Sequence, residues 1–250
     1  MKCFLTGSTG NLGRELIKVS LEFNISYVES GGREQIDITN PNSVACFYEE
    51  HENELQDIGA IVHCAACTNT TWAETNRYAV IESNIIGTKN IGSLCRILNV
   101  PLVYISTDYV YPGLDGNYKE TDDTMPVNFY SLTKLAGEAY AFEHDLVIRT
   151  SFKPSIWEFP KAFSDVYTSA DYIDIIARKI SFLIANNANG IYNVGTEKKS
   201  IYELAKRRNP NIQPMSKSEI KDVRIPSDIS MNTDKYEEFL SKTIGGCYGR

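Results

Sequence analysis

The sequence predicts an α/β protein built on a doubly wound parallel sheet. Three observations point there: a strand, glycine turn and helix at the N-terminus; apolar runs alternating with amphipathic stretches; and a central strand tipped with hydroxyls and followed by a Tyr-x-x-x-Lys helix. At 250 residues, with 42% hydrophobic and 23% charged content, the chain can bury one sizeable core with a small appendage.

Met1–Thr6 reads as a short buried strand, and Gly7-Ser8-Thr9-Gly10-Asn11-Leu12-Gly13 turns into a helix carrying Leu12, Leu16, Ile17 and Val19. Gly7 permits the tight turn, Gly10 brings backbone close to a pyrophosphate, Gly13 lets the helix pack on its strand, and the helix N-terminus faces the anion. The spacing is Gly-x-x-Gly-x-x-Gly, for which a plain βα turn is the alternative. Ile25–Val28 is the second strand. It ends at Glu29, 19 residues after Gly10, where an acid would bond an adenosine ribose and repel a 2′-phosphate. Arg33 would accept that phosphate, so the two cues conflict. Asp37 is either an adenine contact or part of a helix N-cap region.

Residues 42–54 read as a helix with Val44, Phe47 and Tyr48 inward, and 58–63 as a buried strand. The small exit Cys64-Ala65-Ala66 would let a flat cofactor lie against the backbone. Residues 78–98 read as one long helix containing Asn84, which is either solvated or, if buried, paired. Leu102-Val103-Tyr104-Ile105 is a central strand ending in Ser106-Thr107, and 146–150 is a further strand. Residues 151–170 read as an irregular aromatic loop covering a site, its aromatics mainly packing. A helix over 171–187, a strand over 190–194, a helix over 200–208 with a Ser200/Glu203 capping box, a polar stretch over 209–232 and a short helix over 233–241 complete the chain.

On a helix, Tyr130 and Lys134 share one face. A free phenol has a pKa near 10, and a fixed ammonium beside it would favour the phenolate, making Tyr130 a proton donor. The Thr107 hydroxyl could bond the same substrate oxygen as charge develops on a carbonyl. With fifteen tyrosines in the chain the spacing alone is weak, and Tyr202…Lys206 repeats it. That second pair has no upstream hydroxyl-tipped strand and reads as surface helix.

A net charge of −7 argues against nucleic acid as a partner, and no apolar run approaches the roughly 20 residues that span a bilayer. The first strand begins at Lys2 with no room for a leader, so a cytoplasmic protein is expected. The six cysteines are expected to be reduced. Cys64-x-x-Cys67 beside His63 lacks the further ligands of a zinc site, so no metal is expected.

These stretches together resemble the extended short-chain dehydrogenase/reductases, and within them the dTDP-4-dehydrorhamnose reductase-like sugar-nucleotide reductases. The resemblance is carried by Thr6–Gly13, Asp37-Ile38-Thr39, Ala65-Ala66 with Thr68, Ser106–Val110, Tyr130–Lys134 with Gly137-Glu138, and Arg149-Thr150-Ser151. It implies a Rossmann-like doubly wound parallel sheet. Residues 1–150 would form the dinucleotide-binding domain, and 151–250 a small, shortened C-terminal substrate-binding part packed on it.

The implied cofactor is NADP or NAD, contacted by Gly7, Thr9, Gly10, Asn11, Leu12, Gly13, Glu29, Arg33, Asp37, Ile38, Cys64, Ala65, Ala66 and Asn84. Tyr130 would donate the proton, Lys134 would hold the nicotinamide ribose, and Thr107 would bond the carbonyl of a nucleotide-linked keto sugar. Thr68, Asp108 and Phe152 would touch that substrate, and a homodimer is left open. The family usually has Asn where His63 stands and an acid near Thr71, and its segment corresponding to 151–167 is longer; each departure bears on the sugar pocket. A non-catalytic regulatory protein or a sugar-nucleotide epimerase on the same fold are the alternatives.

Overall fold

The computed structural model describes residues 1–220 and 225–247, so the 221–224 part of the polar stretch lies outside the described residues. The first half of the chain forms β1 (Lys2–Thr6), α1 (Asn11–Val19), β2 (Ser26–Glu29), α2 (Pro41–Glu50), α3 (Glu52–Leu55), β3 (Ala60–His63), α4 (Thr70–Thr75), α5 (Arg77–Ile81), a π turn (Glu82–Ile86), α6 (Gly87–Leu98) and β4 (Leu102–Thr107). Then come α7 (Phe129–Glu138), β5 (Leu146–Thr150), and the short strands β6 (Phe152–Lys153), β7 (Lys161–Phe163), β8 (Tyr167–Thr168) and β9 (Asp171–Tyr172). The chain closes with α8 (Ile173–Ala185), β10 (Gly190–Val194), β11 (Lys199–Ser200), α9 (Ile201–Lys206), β12 (Gln213–Met215) and α10 (Asp234–Cys247).

Six of these strands make one parallel sheet in the order β10-β5-β4-β3-β1-β2. Strands buried on both faces send alternate side chains to opposite sides. Cys3 and Leu5 therefore join Val62, Ile105 and Ile148 under α1 and α8, while Phe4 joins Ile61, Tyr104 and Val147 under α2 and α6. Each fully buried aliphatic side chain contributes about 1.5–3 kcal/mol. The two apolar faces are what place helices on both sides of the sheet. The chain reverses its winding between β1 and β3, which puts the glycine turn after β1 at the switch point where such sheets open a crevice.

The stretch beyond residue 150 supplies the sixth strand, β10, and the covering helix α8, so it belongs partly to the main sheet. Its remaining strands pair two or three residues at a time, β6 with β9, β8 with β11 and β7 with β12. The segment read as an irregular loop over 151–170 thus contains β6, β7 and β8. Trp157 packs on Ala162, Ala205 and Ile212, while Phe159 is exposed. The continuous helix expected over 78–98 is instead α5, the π turn and α6, and the π turn with its extra residue carries the fully buried Asn84. Helix α4, absent from the sequence reading, starts at an Asn69 cap that accepts from the Trp72 N–H.

Candidate active site

The residues around the switch point line two adjoining cavities that share Gly7 and Ala66. The smaller, of about 160 Å³, is bounded by Thr9, Ser30, Gly31, Gly32, Arg33, Asp37, Ile38 and Ala65. The larger, of about 470 Å³, runs from Gly10, Asn11, Leu12 and Gly13 past Cys64 and Thr68 to Thr107, Asp108, Tyr130, Lys134 and Phe152.

The turn is built as the sequence suggested. Gly7 sits at φ +71°, and a Cβ there would come within 2.7 Å of the Ala65 nitrogen, so only glycine lets β1 and the exit of β3 approach this closely. Gly10 caps α1 with no side chain over its first N–H groups. Those donors open toward the large cavity, a helix start suited to an anionic diphosphate. A dinucleotide fits these residues: a bare helix N-terminus in the large cavity, with an Arg33-bearing pocket beside it.

In the smaller cavity, the Asp37 carboxylate accepts from Thr39 and from Arg33 at 2.9 and 3.1 Å. Burial pushes its pKa up, but these bonds outweigh that and hold it below the ordinary value. Glu29, expected on the ribose, is exposed at the end of β2 and lines neither cavity. The turn Ser30–Gly32 takes its place, with Ser30 accepting from the Gly7 N–H at 3.1 Å.

Helix α7 begins at Asn128, whose side chain caps Ser131 while Ser131 returns the bond. This fixes the first turn, and Tyr130 and Lys134 both reach the large cavity from it. Lys134 is 3% exposed and stands 4.0 Å over the Tyr104 ring, with no ion pair among the described residues. Burial pushes its pKa down to about 7, against the opposing pull of Cys64 and Glu138. Tyr130 shows the opposite of the sequence expectation. Burial, reinforced by the charges of Asp108, Cys67 and Tyr109, pushes its phenol up, and the proton stays on.

Thr107 accepts from the Tyr109 N–H and donates to Asp108 Oδ1, each at 3.2 Å. Asp108 is 1% exposed, and burial pushes its pKa up to about 7 despite Lys153 and Thr107. Its Oδ2 has no partner. Lys153, which the sequence reading passed over, lines the same end of the cavity. A lysine three residues past a strand looks like surface; only the pairing of β6 with β9 turns it into a wall.

Asn84 does not line either cavity. Its Oδ1 accepts from the Cys67 N–H at 2.8 Å, and its Nδ2 donates to the Cys67 carbonyl and to Thr133, both at 3.0 Å. With its polar capacity spent inside the protein, it ties the loop after β3 to α7 rather than touching a cofactor. His63 is likewise internal. Its Nδ1 lies 2.7 Å from the Thr6 hydroxyl and its Nε2 3.2 Å from Thr88, whose own proton goes to the Asn84 carbonyl. Thr88 therefore accepts from Nε2 and Thr6 donates to Nδ1. Burial pushes the ring's pKa down to about 3 and keeps it neutral. The departure at residue 63 leaves the cavity's polarity untouched.

Cys64 and Cys67 are free thiols. Among the described residues no cluster of His, Cys, Asp and Glu could hold a metal ion, and no helix is long and apolar enough to cross a membrane. The second Tyr-x-x-x-Lys lies on α9, where exposed Lys206 faces the Tyr202 ring at 5.8 Å.

A doubly wound parallel sheet with a glycine turn at its switch point and a Tyr–Lys helix beside it defines a Rossmann-like α/β protein of the extended short-chain dehydrogenase/reductase type. The chain belongs to the family described as RmlD substrate binding domain, which its residues 1–182 match. It is 35% identical over 140 residues to a dTDP-4-dehydrorhamnose reductase of Streptomyces griseus, covering 56% of this chain and 44% of that protein. It is 31% identical over 151 residues to the methionine adenosyltransferase 2 subunit beta of Bos taurus, covering 58% and 44%. The chain thus spans about half the length of these relatives. The structure resembles that of a dTDP-4-dehydrorhamnose reductase from Bacillus anthracis in complex with NADP, with TM-score 0.81 and 25% identity over 95% of this chain and 91% of that one.

Proposed function

We propose that this protein is an NADP- or NAD-dependent reductase of a nucleotide-linked keto sugar. The observation that carries the reading is that Thr107, Tyr130 and Lys134 line one cavity with the bare N-terminus of α1. The helix N-terminus would hold the diphosphate of the cofactor, Arg33 and the Ser30–Gly32 turn its adenosine end, and Lys134 its nicotinamide ribose. When bound, the nicotinamide supplies the hydride. The chain's own part is the proton. Tyr130 keeps it on the phenol oxygen at neutral pH, because burial raises the phenol's pKa, and gives it to the carbonyl oxygen as charge gathers there. Thr107 accepts from the Tyr109 N–H and, by turning its one proton from Asp108 Oδ1 to the carbonyl, would fix that oxygen. The family's named reductases and the NADP complex of the Bacillus anthracis protein support the cofactor and substrate class.

The test is purified protein with NADPH or NADH and 4-keto nucleotide sugars. Loss of nicotinamide absorbance is expected, reduced by about 10²–10⁴-fold in Tyr130→Phe. Turnover equal in the two proteins would reject the reading. An epimerase on this fold would instead turn over sugar with no net cofactor consumed.

The likeness to a subunit of methionine adenosyltransferase favours a second reading, a regulatory member of a larger assembly. A stable hetero-complex that binds cofactor and turns over no sugar would select it. The co-localised Thr107, Tyr130 and Lys134 favour the enzyme.

A further inference from the structure

The end of the large cavity beyond Tyr130 carries two opposite charges, Asp108 on the turn after β4 and Lys153 on β6. Both also line a smaller continuation of that cavity, bounded by Tyr109, Ser151 and Thr168. The register of Phe152 with Asp171 and of Lys153 with Tyr172 fixes the lysine's backbone. Asp108 Oδ1 is taken by Thr107, but Oδ2 is buried and unpartnered. They form no ion pair with each other, and both line the large cavity and its continuation, Asp108 from the turn after β4 and Lys153 from β6.

The sign of the pair decides what can sit between them. A carboxylate or phosphate drawn to Lys153 would meet the Asp108 charge, and a cation drawn to Asp108 would meet Lys153. An apolar group would leave the buried Asp108 oxygen without a partner and strip water from the half-buried Lys153 ammonium. Neighbouring neutral hydroxyls satisfy both, one donating to the carboxylate and one accepting from the ammonium.

We propose that Asp108 and Lys153 form a hydroxyl-reading clamp, with Lys153 as a specificity-determining residue that selects a neutral sugar bearing free hydroxyls beside its reacting carbon. This rests on the nucleotide-sugar reading above. Asp108 follows Thr107 directly, which places the clamp next to the carbon whose oxygen Thr107 would bond.

Calorimetric titration of the full chain in saturating NADP tests it. The probes are dTDP- and UDP-glucose, their 2,3-dideoxy counterparts and the corresponding glucuronates. Wild-type protein is expected to bind the glucose form about ten- to a hundredfold more tightly than the dideoxy and glucuronate forms. In Lys153→Met the preference should collapse to within about threefold, and Lys153→Gln, which keeps a neutral donor, should fall between. The wild-type ratio needs no variant. Equal wild-type affinity for glucose and dideoxy forms, or tighter binding of the glucuronates, overturns the clamp while leaving the reductase reading standing. Binding of none of the probes sinks the nucleotide-sugar reading and the clamp together. Binding with the expected preference but no reduction of any keto sugar supports the clamp and sinks the reductase.

Discussion

Two clusters of buried charge lie near the carboxyl ends of β4 and β5, and they are built on opposite plans. Inside the packing between α7 and the sheet, Arg149 meets Glu138 through two bonds of 3.0 and 2.7 Å, and the same carboxylate accepts from Ser106 at 2.5 Å. Arg149 also donates to the Tyr111 hydroxyl at 3.0 Å. On the cavity side of the same helix, Lys134 has no ion pair among the described residues, Asp108 has one bare oxygen, and Tyr130 holds a proton that burial will not release. Satisfied charges fix geometry, and unsatisfied ones are left where a ligand can satisfy them.

The strongest test of the satisfied cluster is Glu138→Ala. The pair is 5% and 9% exposed, so the change strands the Arg149 guanidinium in the interior and is expected to cost about 3–5 kcal/mol, seen as a fall in the denaturation midpoint. A loss below about 1 kcal/mol would erase the contrast between the clusters.

The unsatisfied cluster predicts the reverse sign. Lys134→Met should abolish turnover yet stabilise the fold by about 2 kcal/mol at pH 6, after allowing for the lost contact with the Tyr104 ring. The pH dependence follows from the lysine's depressed pKa of about 7 against 10.5 when unfolded. Below pH 7 both states carry the charge and its burial penalty is complete. Between about 7 and 10.5 the unfolded chain still holds the proton that the folded one has released, so the penalty fades and the gain from Met shrinks with it. Melting temperatures of both proteins from pH 6 to 10 check this; a gain that grows with pH would contradict it.

A smaller effect is expected where the two clusters share a wall. A Cβ at Gly137 would collide with the Tyr104 hydroxyl and come within 2.7 Å of its Cζ. That hydroxyl donates to the Lys134 carbonyl at 3.1 Å, so Gly137→Ala must push α7 off β4. About 1–3 kcal/mol of stability should be lost, with the rise in KM for the sugar exceeding the rise in cofactor Kd.

The frame of this architecture, its main strands and the turn and helix that bear the site, was legible in the sequence. β5 and β10 were read residue for residue, because strands buried on both faces are continuous apolar runs bounded by polar turns. The glycine turn and the Tyr130 helix carried their own local grammar. What escaped was non-local. Asn84 falls on the same face as Val80, Thr88 and Ile91, but spacing cannot tell a polar residue paired inside the protein from one facing a cofactor. Strands of two residues, such as β6 and β9, are shorter than any periodicity, and the Lys153 they position was invisible until Asp171, 19 residues downstream of the paired Phe152, came alongside. Glu29 was placed by counting from the glycines, but the chain reaches the smaller cavity one residue later, at Ser30. The expected acidification of Tyr130 failed because spacing reveals neighbours and not burial.

The central claim is that the proton of Tyr130 and a nicotinamide hydride meet on one carbonyl in the large cavity. Turnover of a 4-keto nucleotide sugar with nicotinamide cofactor deuterated at the transferring position measures this most directly. One deuterium on the former carbonyl carbon per cofactor oxidised, with the reaction lost in Tyr130→Phe, is the predicted result. Product without deuterium, or the same yield from Tyr130→Phe, would contradict it.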